Sequence, residues 1–454
     1  IAIGHNAGTA VTTGVRNTYI GGLAGDGTTT GSNNVSLGFD ALSTNTVGSK
    51  SVAIGSDALT TQNPSSAADM YNTAVGFQAG LSATTGTNNT LIGGLAGDAL
   101  TTGNNSVAVG YSALGAITTA ENNVGVGFSA LNSNQTGTHN TALGTNALYS
   151  ATGDDNTALG SAALYSATTG NNVAVGRRAL VTVTTGSRNT AVGTLSLEDN
   201  TASDNVSVGY HAAKNTTSGS NNTIMGTEAF SSNTTGSANT VVGYRTLDAN
   251  TTGSGNVAIG QSALTASTTA SNNTAIGYQS LAANTTGASN VAIGYVALDA
   301  NTTGNYNVAV GNEAFTSATN SDNSVAVGFQ ALRLTNNADN NTAIGFYALT
   351  ANTTGASNVA IGKEALAANT TASDNVAIGT NALDAATTGG VNTAVGTSSL
   401  TANTTGVANT ALGRQALKSN TTANFNTALG AETLHDNTTG TSNTAVGYNA
   451  GNSV

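Results

Sequence analysis

Cysteine and tryptophan are absent from these 454 residues, proline occurs once, and only 7% of the chain is charged. Without cysteine there is no disulfide scaffold, no thiol nucleophile and no Cys-ligated metal or cluster. Eleven basic residues against 22 acidic ones leave a net charge of −11. Clustered Lys and Arg, which phosphate binding requires, are missing, so nucleic acid is not an expected partner. No apolar run approaches the ~20 residues of a bilayer span, and no membrane insertion is expected. The chain opens at Ile1-Ala2-Ile3-Gly4 with no recognisable leader, as a piece of something longer would.

What the sequence has instead is glycine, 57 of them, in a fixed rhythm. Aliphatic-Gly pairs recur from Gly4 through Gly277 to Gly447, giving 27 anchor glycines. Most intervals are 17 residues; those ending at Gly160, Gly176 and Gly209 are 16, and Gly55 to Gly76 is 21. The long interval holds Pro64 and is read as an insertion loop at about 61–71. Residues 1–454 are otherwise read as one continuous repeat array.

Positions are numbered here from each anchor. Position −1 is aliphatic or Met, position −2 is Ala in 20 of 27 units, and position −3 is Thr, Val or Ile. Position −4 is Asn in 23 of 26 units, and position +4 is Leu in 19 of 27. The rest is commonly Asn-Thr-Thr-Gly, as at Asn284 to Gly287. A 17-residue period is too short for a helix pair. A short β-branched strand closed by glycine matches one coil of a solenoid. The fold class expected is therefore all-β, a parallel β-solenoid of about 26 coils, with the position −4 asparagines stacked as a corner ladder.

Strand alternation separates −3 and −1 on one face from −2 on the other. The aliphatic residue at −1 and the Leu at +4 are assigned to the coil interior. None of the 33 charges falls between −4 and the anchor, or at +3 or +4, and residues that never carry charge are expected to be buried. One aliphatic, one Leu and two Ala per coil make a thin core. Small residues at −2 then suggest a second surface in close approach, so an oligomer packed along the Ala face is expected.

The unit Asn-(Thr/Val)-Ala-Ile-Gly-x-x-Ala-Leu, at Asn273 to Leu281 and Asn358 to Leu366, resembles the head repeat of YadA-like trimeric autotransporter adhesins. It is also similar to repeats of phage tail-fibre and bacterial surface proteins. Ser51-Val52-Ala53-Ile54-Gly55 and Ser106-Val107-Ala108-Val109-Gly110 match the family pattern closely. The resemblance covers essentially the whole chain. It implies a left-handed β-roll, a homotrimer of chains side by side, and a role in attachment at a cell or virion surface. Family ligand-binding residues are not set by the repeat motif, so none is carried over.

Candidate chemistry is sparse. His5, His139, His211 and His435 lie in different coils with no shared spacing, which is not the pattern of a metal site or a Ser-His-Asp triad. The acid pairs Asp154-Asp155 and Glu198-Asp199 sit at shortened coils and read as solvated turn charge. Eleven of the 20 Phe and Tyr residues occupy +1, including Phe39, Phe77, Tyr111, Phe128, Tyr278 and Tyr295. Such a stacked edge packs against a neighbouring coil or chain, or binds a glycan or a host surface protein. Asn250, Asn301 and Asn352 carry the acceptor pattern for N-glycosylation and equally suit a corner ladder. Regular Thr pairs raise an ice-binding face, although adjacent Thr residues place only one hydroxyl per coil on a side.

The function expected is non-enzymatic, with no cofactor: an extracellular fibrous segment that mediates or spaces receptor binding. The alternatives are a structural filament protein assembling end to end and, less favoured, an ice-binding solenoid.

Overall fold

The computed structural model describes residues 1–452. The chain is an all-β parallel solenoid of about 26 coils with repeats of about 17 residues. It divides into two compact units, Ile1–Asn222 and Thr223–Val454. In the first, parallel three-residue strands such as Val52–Ile54, Thr73–Val75 and Thr90–Ile92 stack coil on coil. The second repeats the arrangement from Thr223–Met225 to Thr444–Val446. Equivalent positions pair in strict register: Thr274 faces Val291, Ala275 faces Ala292, and Ile276 faces Ile293.

The anchor glycines close each strand. Gly277 has φ of 135°, a region of the backbone map that side chains disfavour. A side-chain carbon there would also run into the carbonyl oxygen of Gly294 in the next coil. Two further turns follow, carried by residues other than glycine. Gln279 and Leu281 adopt φ of 51° and 54°, and the same pair of positions repeats around the array. A left-handed leucine costs about 1–2 kcal/mol, and the Leu at +4 is held there by complete burial.

The interior differs from the sequence expectation. Ala at −2, not the aliphatic at −1, points into the coil: Ala275, Ala292, Ala309 and Ala360 are fully buried. Opposite them lie the Ala at +3 and the Leu at +4, also buried. The residues at −3 and −1 face outward and are half-buried or exposed. The reason is volume. One coil commonly encloses one large side chain and two methyl-sized ones; Ile224 and Val241 mark the coils in which a larger aliphatic residue is buried at −2.

Two of the larger residues at −2 show the pairing of −2 with +4. Tyr19 and Leu91 stand at −2 in place of Ala and are buried, and the +4 positions on either side are glycines. Side-chain carbons on Gly8 or Gly25 would run into the Tyr19 ring, and on Gly80 or Gly97 into Leu91. Conversely Gly125, at −2, lies against Leu114. Ser36 and Ser207, the polar residues at −2, donate to the carbonyls of Ala41 (2.7 Å) and Ala212 (3.0 Å).

Both corners are built from buried asparagine. At −4, the Asn290 N–H donates to Asn273 Oδ1 (2.9 Å) and its Nδ2 to the Gly304 carbonyl (2.8 Å). Its own Oδ1 accepts the Asn307 N–H (3.0 Å). Each side chain thus satisfies backbone groups that the short strands leave unpaired. At +7 a second ladder runs through Asn301, whose Nδ2 donates to Asn284 Oδ1 (2.9 Å) and to the Gly304 carbonyl (3.1 Å).

The insertion keeps these rules. Ala68–Asp69 pairs in parallel with Gly48–Ser49. Gln62 replaces the +7 asparagine, donating to Ser51 Oγ (2.9 Å) and accepting from Asn72 Nδ2 (3.0 Å). Pro64 and Met70 are buried within the insertion.

Replacing Asn290 with Ala leaves the Asn307 N–H and the Gly304 carbonyl without that partner in a dry corner. The expected loss is about 2–4 kcal/mol, read from denaturant unfolding, with faster hydrogen exchange at the Asn307 amide. Unchanged protection at Asn307 contradicts the ladder.

Candidate functional surface

The outward strand face is the most distinctive surface. Positions −3 and −1 alternate Thr or Val with Ile, Val, Leu or Met, and Ile293, Ile344, Leu412, Leu429 and Met225 are exposed. No charge occurs on either rank. Charge avoidance is expected of a buried position, yet these side chains are open to solvent on the single chain. The Ala face, expected to be a seam between chains, is the coil interior, so the seam it was invoked to explain has no surface there.

Beside this face runs the rank at +1, with Phe39, Phe77, Tyr111, Phe128, Tyr210, Tyr244, Tyr278, Tyr295, Phe329, Phe346 and Tyr448 all exposed. Successive coils stack their rings: Tyr111 on Phe128 with centroids 5.6 Å apart, Tyr278 on Tyr295 at 5.5 Å, and Phe329 on Phe346 at 5.4 Å. Interplanar angles of 12–15° make these offset parallel stacks.

The four histidines are not brought together. His211 stacks on Tyr210 at 3.8 Å, His435 Nδ1 lies 2.6 Å from Asp436 Oδ1, and His139 contacts Thr138 Oγ1 at 3.1 Å. Among the described residues no group of three or more His, Asp or Glu could hold a metal ion.

The acid pairs differ from each other. Asp154 is exposed and accepts the N–H and hydroxyl of Thr138 (2.7 and 3.0 Å). Glu198 is not solvated turn charge: it is buried between Arg178 (2.7 Å) and Lys214 (3.7 Å), which reach it from the coils on either side. Burying a carboxylate is costly unless it is paired in this way. Asp199 beside it is exposed.

Asn250, Asn301 and Asn352 belong to the buried corner. Their amide nitrogens are engaged, that of Asn250 by Asn233 Oδ1 (3.0 Å) and that of Asn352 by Thr335 Oγ1 (3.1 Å), so the fold withholds them from glycosylation. Thr285 and Thr302, first of each Thr pair, donate to the carbonyls of Thr302 (3.0 Å) and Thr319 (2.8 Å). Only the second Thr, such as Thr286 or Thr303, offers an exposed hydroxyl.

Among the described residues no helix is long and apolar enough to cross a membrane. No family model matches the chain, and no curated protein or solved structure matches it. Fold and surface together define a β-solenoid repeat protein.

One carboxyl is held against its preference. Burial pushes the Asp299 carboxyl above its ordinary range, and the nearby Glu313 adds to the effect. Its Oδ1 is buried without a hydrogen-bond partner. A group whose folded-state affinity for protons exceeds the unfolded one stabilises the fold as pH falls through the raised value, and loses that contribution above it. Asp299→Asn is therefore expected to raise thermal stability at neutral and alkaline pH, with the gain shrinking on acidification. A gain that grows on acidification contradicts this.

Proposed function

We propose that this chain is a non-enzymatic, fibrous attachment segment whose copies pack against one another through the outward strand face, as a homotrimer exposed on a cell or virion surface. The observation that carries the reading is the uncharged rank pair at −3 and −1. Were it free in water, Lys, Glu or Asp would be tolerated there, as they are at +1, +2 and +5. Their absence through 27 units supports a face that is covered by a partner. Copies of the same chain suit it, because a uniform coil presents the same β-branched pattern to a partner with the same coil spacing. The resemblance to YadA-like head repeats supports three chains and the attachment role. The uniform array, with its histidines scattered over different coils, supports spacing and display rather than turnover.

The test is to charge the outward face. Val359→Glu with Ile361→Glu is expected to convert the native oligomer to monomer, measured by sedimentation velocity, while the far-ultraviolet spectrum of the solenoid persists. An unchanged oligomer in the double variant places the seam elsewhere. Open-ended fibres whose length grows with concentration would instead favour a filament.

A further inference from the structure

Tyr149 and Tyr165 stand apart from the other aromatic residues. They are the only Phe or Tyr at +5, and they occupy it in successive coils. The Ser150 N–H donates to the Tyr165 carbonyl (2.8 Å), which fixes the register of the two coils at this point. Their rings lie parallel, with centroids 5.0 Å apart and an interplanar angle of 7°. Tyr278 and Tyr295, the other stacked tyrosine pair among the described residues, are wider and less parallel at 5.5 Å and 12°. The two coils that carry Tyr149 and Tyr165 are also ones in which the second corner is interrupted. Ala151, Ala167 and Val183 fill +7 between Asn134 and Asn200, so no amide links coil to coil there.

We propose that Tyr149 and Tyr165 are an oxidative cross-linking site, joined ring to ring as dityrosine by hydrogen peroxide acting through a haem peroxidase. Each phenol gives up one electron and its hydroxyl proton. The two radicals couple through one carbon ortho to each oxygen, and the hydrogens on those carbons move to the oxygens as the rings regain aromaticity. The pair loses two electrons and two protons in all, and these reduce one hydrogen peroxide to two waters. Composition favours the reaction. Thiols and methionine are the side chains that oxidants commonly take, and this chain has no Cys, no Trp and two Met, of which Met70 is buried. Stacking holds the two rings side by side on neighbouring coils, so turning the side chains is enough to bring the carbons together. Both residues are half-buried, which favours coupling within one chain over coupling between chains. The bond ties one coil to the next where the corner amides are missing, and so restrains local opening. It does not depend on the packing of copies, because +5 lies on a different part of the coil from −3 and −1.

The test is oxidation of the dilute, folded chain with a haem peroxidase and hydrogen peroxide, followed by digestion with a protease that cuts before aspartate. Asp154 and Asp155 lie between the two tyrosines, so after the cut their peptides stay together only through the new bond. The expected product is that joined pair, lighter by two hydrogen atoms than the sum of its peptides and carrying biphenol fluorescence. The uncut chain should still migrate as a single copy in a denaturing gel. Tyr149→Phe or Tyr165→Phe should abolish the joined pair, and Tyr278→Phe should leave it. Four outcomes overturn the proposal: no joined pair from the folded chain, the same yield from chain oxidised in urea, a cross-link confined to Tyr278 and Tyr295, or bonds formed only between copies.

Discussion

The narrowness of the coil governs this molecule. About 17 residues of backbone, drawn into a closed turn, enclose room for one leucine, two alanines and the asparagine amides at the corners. Because each coil is so thin, Tyr19, the largest residue at −2, is admitted where +4 gives up its side chain, between Gly8 and Gly25, whereas the smaller Ile224 and Val241 are buried at −2 with Phe230 and Leu247 kept at +4. The same narrowness forces backbone against backbone at the turn, which is why Gly277 and its equivalents have no room for a side chain. It also brings successive coils close enough for buried amides to satisfy main-chain groups.

That constraint displaces the larger aliphatic residues to the outside. In a globular protein Ile, Val and Leu fill the core and the surface is charged. Here the apolar residues of the strand divide between a crowded interior and an uncharged exterior. The stabilising devices are correspondingly polar. Asn290 and Asn301 make bonds that a hydrophobic core would not need, and Glu198 is tied to coils on both sides. An array held by nearest-neighbour terms of this kind gains stability with every added coil.

Much of this was legible in the residues themselves. The 17-residue rhythm, the parallel stacking, the asparagine corner and the buried Leu at +4 follow from position-specific composition. The orientation of the strand did not. Alternation separates −2 from −1 and −3 but does not say which side is inside, and avoidance of charge is the same for an interior and for an interface. The deciding signal was nonetheless present: Tyr19 and Leu91 are each flanked by glycines at +4, which only makes sense if −2 and +4 share one space. The left-handed turns at Gln279 and Leu281 had no such signal, because Leu and Gln are not residues that announce positive φ. Glu198 reads as solvated turn charge because an ion-paired cluster spanning three coils is invisible until the register is known.

Coverage of the outward face by other copies of the chain is the central proposal. Light scattering on the purified protein, across a wide range of concentration, tests this most directly. A discrete, concentration-independent mass three times the 44.2 kDa of one chain is the predicted result. A stable monomer of 44.2 kDa, with its uncharged ranks in water, would contradict it.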